Sequence, residues 1–153
     1  MNEEAKKRAL SLLEKRDYSR KMLTDKLTEK GLSEADAEEV TDRLCELGVV
    51  DDARFAALLV RHYAGKGYGE RRIRDELYRR GIDRALWDEA LAEMPETDDT
   101  VYRLLCSRLR GTEGSEDDIR RAYGYLLRRG YGSEEIRSAL EQYRTENEEN
   151  END

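Results

Sequence analysis

Between positions 61 and 80 the chain gathers Arg61, Lys66, Arg71, Arg72, Arg74, Arg79 and Arg80 around Tyr68, opposed by Glu70, Asp75 and Glu76. Guanidinium groups in that density can do one kind of chemistry well. Their planar forks make paired hydrogen bonds to carboxylates or phosphates, which a lysine ammonium cannot match. Two readings follow. As a solvated helix face, the segment would be laced with i,i+4 ion pairs, Asp75–Arg79 and Glu76–Arg80. As a binding face, it would turn Arg71, Arg74 and Arg79 towards an acidic partner, and the excess of arginine over lysine favours this second reading. Tyr78, on the same stretch, adds no charge and is expected to contribute little.

The rest of the inventory points away from catalysis. The chain has one histidine, His62, and two cysteines, Cys45 and Cys106, far apart, so no Cys/His metal cluster can be assembled and no metal or other cofactor is expected. Each cysteine falls at an apolar helical position, as a small hydrophobe does in a reducing compartment. No GxxxxGK[ST] loop, HExxH or GxSxG is present. Gly65-Lys66-Gly67-Tyr68-Gly69 looks superficially like a phosphate-binding glycine loop, but it follows no strand and joins two helical patterns, which reads as a hinge. Acidic pairs such as Asp51-Asp52 and Glu38-Glu39 read as solvated faces or caps. A binding protein, not an enzyme, is the expectation.

The elements that must position these residues are helical. In a chain of 153 residues, 42% are charged and 37% apolar, with one Pro and one Phe. That composition suits narrow apolar stripes better than one round core. An internal repeat organises them. At an offset of 50, Tyr18, Leu23, Leu27, Gly31 and Leu32 match Tyr68, Ile73, Leu77, Gly81 and Ile82. A further 49 residues on, Leu77 and Gly81 match Leu126 and Gly130, while Trp87, Ala90 and Leu91 match Ile136, Ala139 and Leu140. Each copy reads as three helices. In the second, Asp52 is the expected cap of a helix carrying Phe55 in its core, Ile73 and Leu77 form the buried stripe of the next, and Asp83 caps the third. Gly31, Gly81 and Gly130 stand where left-handed residues end helices. Ser33 and Ser115 open capping boxes. The tyrosines Tyr18, Tyr68 and Tyr131, at breaks between helices, are expected to pack at junctions.

The expected architecture is therefore all-α: three tandem three-helix repeats over 1–52, 53–94 and 95–144, stacked into an elongated, curved array, followed by a disordered acidic tail, 145–153. Charge is uneven along it. The net charge of −8 arises mainly in the first repeat and the tail, and only the middle repeat is net positive. An acidic chain is a weak binder of bare DNA, but a partner made of both protein and DNA stays compatible. The charged N-terminus and the lack of any long apolar run suggest a cytoplasmic protein with no membrane contact.

One resemblance is specific. Leu47-Gly48-Val49-Val50-Asp51-Asp52-Ala53-Arg54-Phe55-Ala56, then Gly67-Tyr68-Gly69, Arg72-Ile73-Arg74-Asp75-Glu76-Leu77 and Arg80-Gly81-Ile82-Asp83, resembles the core signature of the bacterial RecX regulators. Leu126-Leu127-Arg128-Arg129-Gly130-Tyr131 with Glu135-Ile136 is similar to that family's C-terminal motif, and the likeness runs over about residues 5–143. It implies three three-helix repeats that lie in the groove of the RecA–DNA filament and limit filament growth, ATP hydrolysis and strand exchange. It carries over no catalytic residue. Partner-binding residues are instead inferred from charge: Arg61, Lys66, Tyr68, Arg71, Arg72, Arg74, Arg79 and Arg80, with Asp52, Phe55, Ile73, Leu77, Gly31, Gly81 and Gly130 structural. The expected partner is the RecA nucleoprotein filament, with possible contacts to its DNA phosphates, bound by a monomer. Two alternatives remain: a helical module that binds DNA directly, and a scaffold that recognises protein alone.

Overall fold

The computed structural model describes residues 2–151, and these are all-helical, with no strand among them. Nine helices follow in order: α1 (Glu3–Lys15), α2 (Arg20–Glu29), α3 (Glu34–Glu46), α4 (Asp52–Gly65), α5 (Glu70–Arg79), α6 (Trp87–Leu91, entered through a 3-10 turn at Arg84–Leu86), α7 (Asp98–Leu109), α8 (Glu116–Arg128) and α9 (Ser133–Glu151). They make three triplets.

Local chemistry sets the boundaries. Asn2, Ser19, Ser33 and Asp83 each accept amide hydrogens from the first turn that follows them. Ser115 and Asp118 form a complete capping box on α8, satisfying two amides that the helix cannot satisfy itself. The middle helix of every triplet closes in the same way. Gly31, Gly81 and Gly130 have φ of 104°, 71° and 101°. The residues after them, Leu32, Ile82 and Tyr131, donate their amides back to Leu27, Leu77 and Leu126 at 3.1, 3.1 and 3.2 Å. This is the double-bonded glycine stop expected from the repeat.

Four expectations change. Asp51, not Asp52, caps α4: its Oδ1 accepts the Arg54 amide at 3.2 Å. Asp52 reaches the start of α2 instead, where its Oδ1 accepts the Arg20 amide at 2.7 Å. Phe55 is half-buried and not core, because α4 buries Ala56, Leu59 and Val60, a stripe rotated one residue from the one that would centre Phe55. Neither cysteine is fully buried; partial burial pushes the Cys106 thiol up, with Arg110 opposing. Finally, residues 145–151 continue α9 and are not a disordered tail, since a helix nucleated by its packed first turns lengthens with one hydrogen bond per residue fixed. Tyr102 hydrogen-bonds Glu146 along this extension; the last two residues of the expected tail lie outside the described ones.

The chain forms two compact units, which do not coincide with the repeats: residues 1–60 with 76–93, and residues 61–75 with 94–153. In the first unit, α1, α2 and α3 enclose Ala5, Ala9, Leu12, Leu23, Leu27, Ala37, Val40, Leu44 and Val50. Ser19 Oγ, at the start of α2, donates to the Arg80 carbonyl at 2.6 Å, and Trp87 Nε1 donates to Ile82 O at 2.9 Å. In the second unit, Val101, Leu105, Leu109, Ala122, Leu126, Tyr131, Ile136, Ala139 and Leu140 form the core. There the amides of Gly69 and Arg71, at the start of α5, donate to the carbonyls of Arg129 and Gly130 at 2.8 and 3.1 Å. The two junctions are equivalent by repeat register. In each, the start of one repeat's middle helix meets the glycine stop of the next repeat, and for that reason the division falls within the second repeat.

Candidate partner-binding site

α5 carries the arginines, and its apolar stripe decides which of them face outward. Ile73 and Leu77 are fully buried and Glu76 nearly so. With 3.6 residues per turn, Arg71, Arg74 and Tyr78 fall on the opposite side. Arg71 and Arg74 are exposed, Arg74 lying 3.7 Å from Glu70. Tyr78 is 72% exposed. A large aromatic ring left in water about one turn beyond Arg74 on the same helix face resembles the tyrosine–arginine anchors that dominate protein interfaces. Its i,i+3,i+7 spacing with Arg71 and Arg74, out of phase with Ile73 and Leu77, is the signal that would have singled it out from sequence.

The other expected binding residues divide into solvent-facing and internally engaged groups. Arg61 and Lys66 are exposed. Arg79 is 65% exposed, yet its Nη1 lies 3.5 Å from Glu76 Oε1. Arg80 is only 25% exposed and is bound to the other Glu76 oxygen, so the expected Glu76–Arg80 pair is present, with Arg79 joining it at i,i+3. A carboxylate 4% exposed is tolerable only with such compensation. These contacts engage Arg80 within the fold.

Tyr68 and Arg72 are likewise engaged within the second unit. The Arg129 guanidinium lies 4.2 Å from the Tyr68 ring centroid and that of Arg72 lies 5.1 Å away, while Tyr63 meets the same ring edge-on at 5.6 Å. Arg129 also donates from Nε to Gly67 O at 3.0 Å and from Nη2 to Lys66 O. Tyr131 Oη donates to Gly67 O at 2.6 Å, and burial pushes its phenol up. Thus Gly65–Gly69 is a clamped turn: the carbonyls of Lys66 and Gly67 accept from Arg129 and Tyr131, and the amides of Lys66, Gly67, Tyr68 and Gly69, which a phosphate cradle would need free, already donate to backbone carbonyls. The tyrosines at the breaks pack at junctions, as the sequence indicated. Arg129 is a residue that sequence reasoning missed as the organiser of this turn, since its role depends on a contact across more than sixty positions.

Among the described residues, no group of three or more His, Cys, Asp or Glu side chains could hold a metal, and no helix is long and apolar enough to cross a membrane. The arrangement offers an exposed arginine–tyrosine face suited to binding a partner.

Comparison with known proteins agrees with the fold. Residues 5–44 match the family model described as RecX, first three-helix domain, and residues 51–91 match RecX, second three-helix domain. The Regulatory protein RecX of Xanthomonas oryzae pv. oryzae (strain MAFF 311018) is 41% identical over 134 residues, covering 86% of this chain and 84% of that one. The Regulatory protein RecX of Stenotrophomonas maltophilia (strain K279a) is 40% identical over 134 residues, covering 86% and 82%. The crystal structure of RecX from Lactobacillus salivarius superposes with a TM-score of 0.81 over 91% of this chain and 94% of that one, at 22% identity, a likeness of fold.

Proposed function

The chain belongs to the RecX family of regulatory proteins, and we propose that it binds the RecA–DNA filament through the exposed face of α5 and restrains filament growth, ATP hydrolysis and strand exchange. It acts as a monomer in the cytoplasm, by occupancy and not by catalysis. The observation that supports this reading is that Arg71 and Arg74 stay exposed beside Tyr78 while the neighbouring Arg80 is drawn inward to Glu76. Charge-assisted contacts to filament carboxylates or DNA phosphates are each worth roughly 1–2 kcal/mol when partly desolvated.

The test is RecA-filament ATPase with and without the protein, beside the double reversal Arg71→Glu/Arg74→Glu. Arg79 is left alone, because a carboxylate there would face Glu76. Helix propensity is little changed, so the variant is expected to fold and to lose at least about tenfold in filament affinity. A folded variant that inhibits normally would remove α5 from the interface. Strong binding of the wild-type chain to naked duplex at physiological salt, with a steep salt slope, would favour a direct DNA-binding module instead.

A further inference from the structure

A second basic surface lies on α1, in the repeat whose overall charge is negative. Lys7, Arg8, Ser11 and Lys15 share one face of the helix with Glu4, and Lys30, just beyond the end of α2, lines the same open groove. All are exposed. Arg8 is spoken for: its Nε lies 3.4 Å from Glu4 Oε1, and its Nη1 donates to the Lys30 carbonyl at 3.1 Å. That bond covers the electronegative end of α2, which would otherwise repel an anion. The remaining cations, Lys7, Lys15 and Lys30, sit in the groove with Glu4 already neutralised by Arg8.

We propose that this groove holds the phosphate backbone of a single DNA strand. Lysine ammoniums on flexible stems act as point charges, suited to phosphates met without regard to sequence. Lys7 to Lys15 spans about 12 Å along the helix axis, long enough to meet successive phosphates of one strand, which even in a stacked duplex are only about 3.4 Å apart along the axis. The groove is open along its length, as a polymer needs and a small metabolite does not. The helix face presents Ser11 between the lysines and buries Leu12, and the exposed Leu10 of the same helix does not line the groove, so this face lacks the apolar stripe that an interfacial helix inserts into lipid. The biological setting, a strand within the filament, rests on the proposed function; the groove's chemistry does not.

The experiment is fluorescence anisotropy of a labelled oligothymidylate titrated with the full chain at several salt concentrations, without RecA. The triple variant Lys7→Glu/Lys15→Glu/Lys30→Glu is compared with Arg120→Glu/Arg137→Glu/Arg144→Glu, an equal charge change on exposed positions elsewhere. The groove variant should lose at least tenfold in affinity at low salt, and its log–log salt slope should become shallower by about 2, three phosphates at about 0.7 each. The control should lose far less. Equal losses in both, an unchanged groove variant, or no measurable binding of the wild-type chain would each overturn the proposal. Equally tight wild-type binding to phosphatidylserine vesicles, abolished by the same three changes, would also overturn it in favour of a lipid site. If circular dichroism shows the triple variant unfolded, the Lys→Gln set replaces it. RecA inhibition is measured in parallel: a groove variant that still inhibits leaves the α5 reading standing, and an α5 variant that still binds the oligonucleotide leaves the groove standing.

Discussion

Alanine in place of four glycines separates the two things a glycine does here. At Gly31 the backbone is left-handed and an added Cβ would meet nothing within 4 Å, so Gly31→Ala carries the conformational cost alone, about 1–2 kcal/mol. At Gly81 the conformation is similar, but the Cβ would fall 2.2 Å from Lys21 Cδ and 2.6 Å from Lys21 Cβ; the end of that side chain can swing aside but its Cβ cannot, so the start of α2 must shift and the cost should exceed that of Gly31. At Gly130 the obstacle is backbone. The Cβ would stand 2.5 Å from Arg72 N and 3.0 Å from Gly69 O, and relief requires parting the two backbone segments joined by the Gly69–Arg129 and Arg71–Gly130 hydrogen bonds. Losing two such bonds adds about 1 kcal/mol each, for about 3 kcal/mol in all. Gly69 is not left-handed, but its Cβ would lie 2.5 Å from the Gly130 carbonyl carbon and oxygen, so Gly69→Ala should cost about 2 kcal/mol, from the junction alone. Urea unfolding followed by circular dichroism reads these values. With a slope near 2 kcal/mol/M, the Gly130→Ala midpoint should fall by about 1.5 M and that of Gly31→Ala by under about 1 M. The Gly69→Ala/Gly130→Ala pair should be less damaging than the sum, because both changes open the same gap. If Gly130→Ala cost no more than Gly31→Ala, the junction would not be the close backbone contact described above.

Tyr78→Ala should lower filament affinity by roughly tenfold with little effect on urea unfolding, because the ring is mostly in water in the free chain; equal inhibition of RecA ATPase by the variant would show that the ring makes no contact. Arg80→Ala removes one of the two guanidiniums that hold the buried Glu76 carboxylate, with Arg79 remaining, and should destabilise by roughly 2 kcal/mol, visible in the same unfolding assay; a change within error would mean that Arg79 and water suffice for Glu76. Truncation after Arg144 removes exposed helix and five acids, so stability should move by less than about 0.5 kcal/mol, and a large fall in melting temperature would mark α9's extension as docked. The Asp118 carboxyl is held below its ordinary value, first by its side-chain hydrogen bond with Ser115 and then by the Ser115 backbone. Its contribution is therefore present above the unfolded pKa of roughly 4 and is lost as pH falls through the folded value. Asp118→Asn should flatten the acid limb of stability against pH, and an unchanged limb would show that the cap does not titrate there.

What was legible in the sequence is what depends on neighbours along the chain. The glycine stops at 31, 81 and 130, the Ser115 box and the Ile73–Leu77 stripe are local patterns, and the structure holds them all. The misplaced details needed information from elsewhere. Asp51 and Asp52 are adjacent acids that could each cap α4, and Asp52 is taken by an amide thirty-two positions earlier. Phe55 and Ala56 differ by one step in helical phase, and packing beyond α4 itself decides that Ala56 is the buried one. Around α5 the composition told which residues were basic but not which were occupied. Tyr68 and Arg72 are engaged because Arg129 arrives from the third repeat, and Arg80 because Glu76 is too buried to stand alone. The exposure of Tyr78, by contrast, is legible through its spacing from Ile73 and Leu77.

The two junctions bear on how such a chain can lengthen by duplication. A new copy must bring a glycine stop and must also find a receiving helix start that leaves room for it. The starts of α2 and α5 leave that room with a serine and a glycine, Ser19 and Gly69. In repeat register the corresponding position of α8 is Asp118, whose side chain is already folded back onto its own helix by the Ser115 box. An added copy would meet a filled and charged seat there, whereas the outward-facing Gly31 is unobstructed. Recombination between repeats is thus asymmetric: the first can exchange its stop without penalty to a neighbour, while the third would have to lose its cap before it could accept another copy.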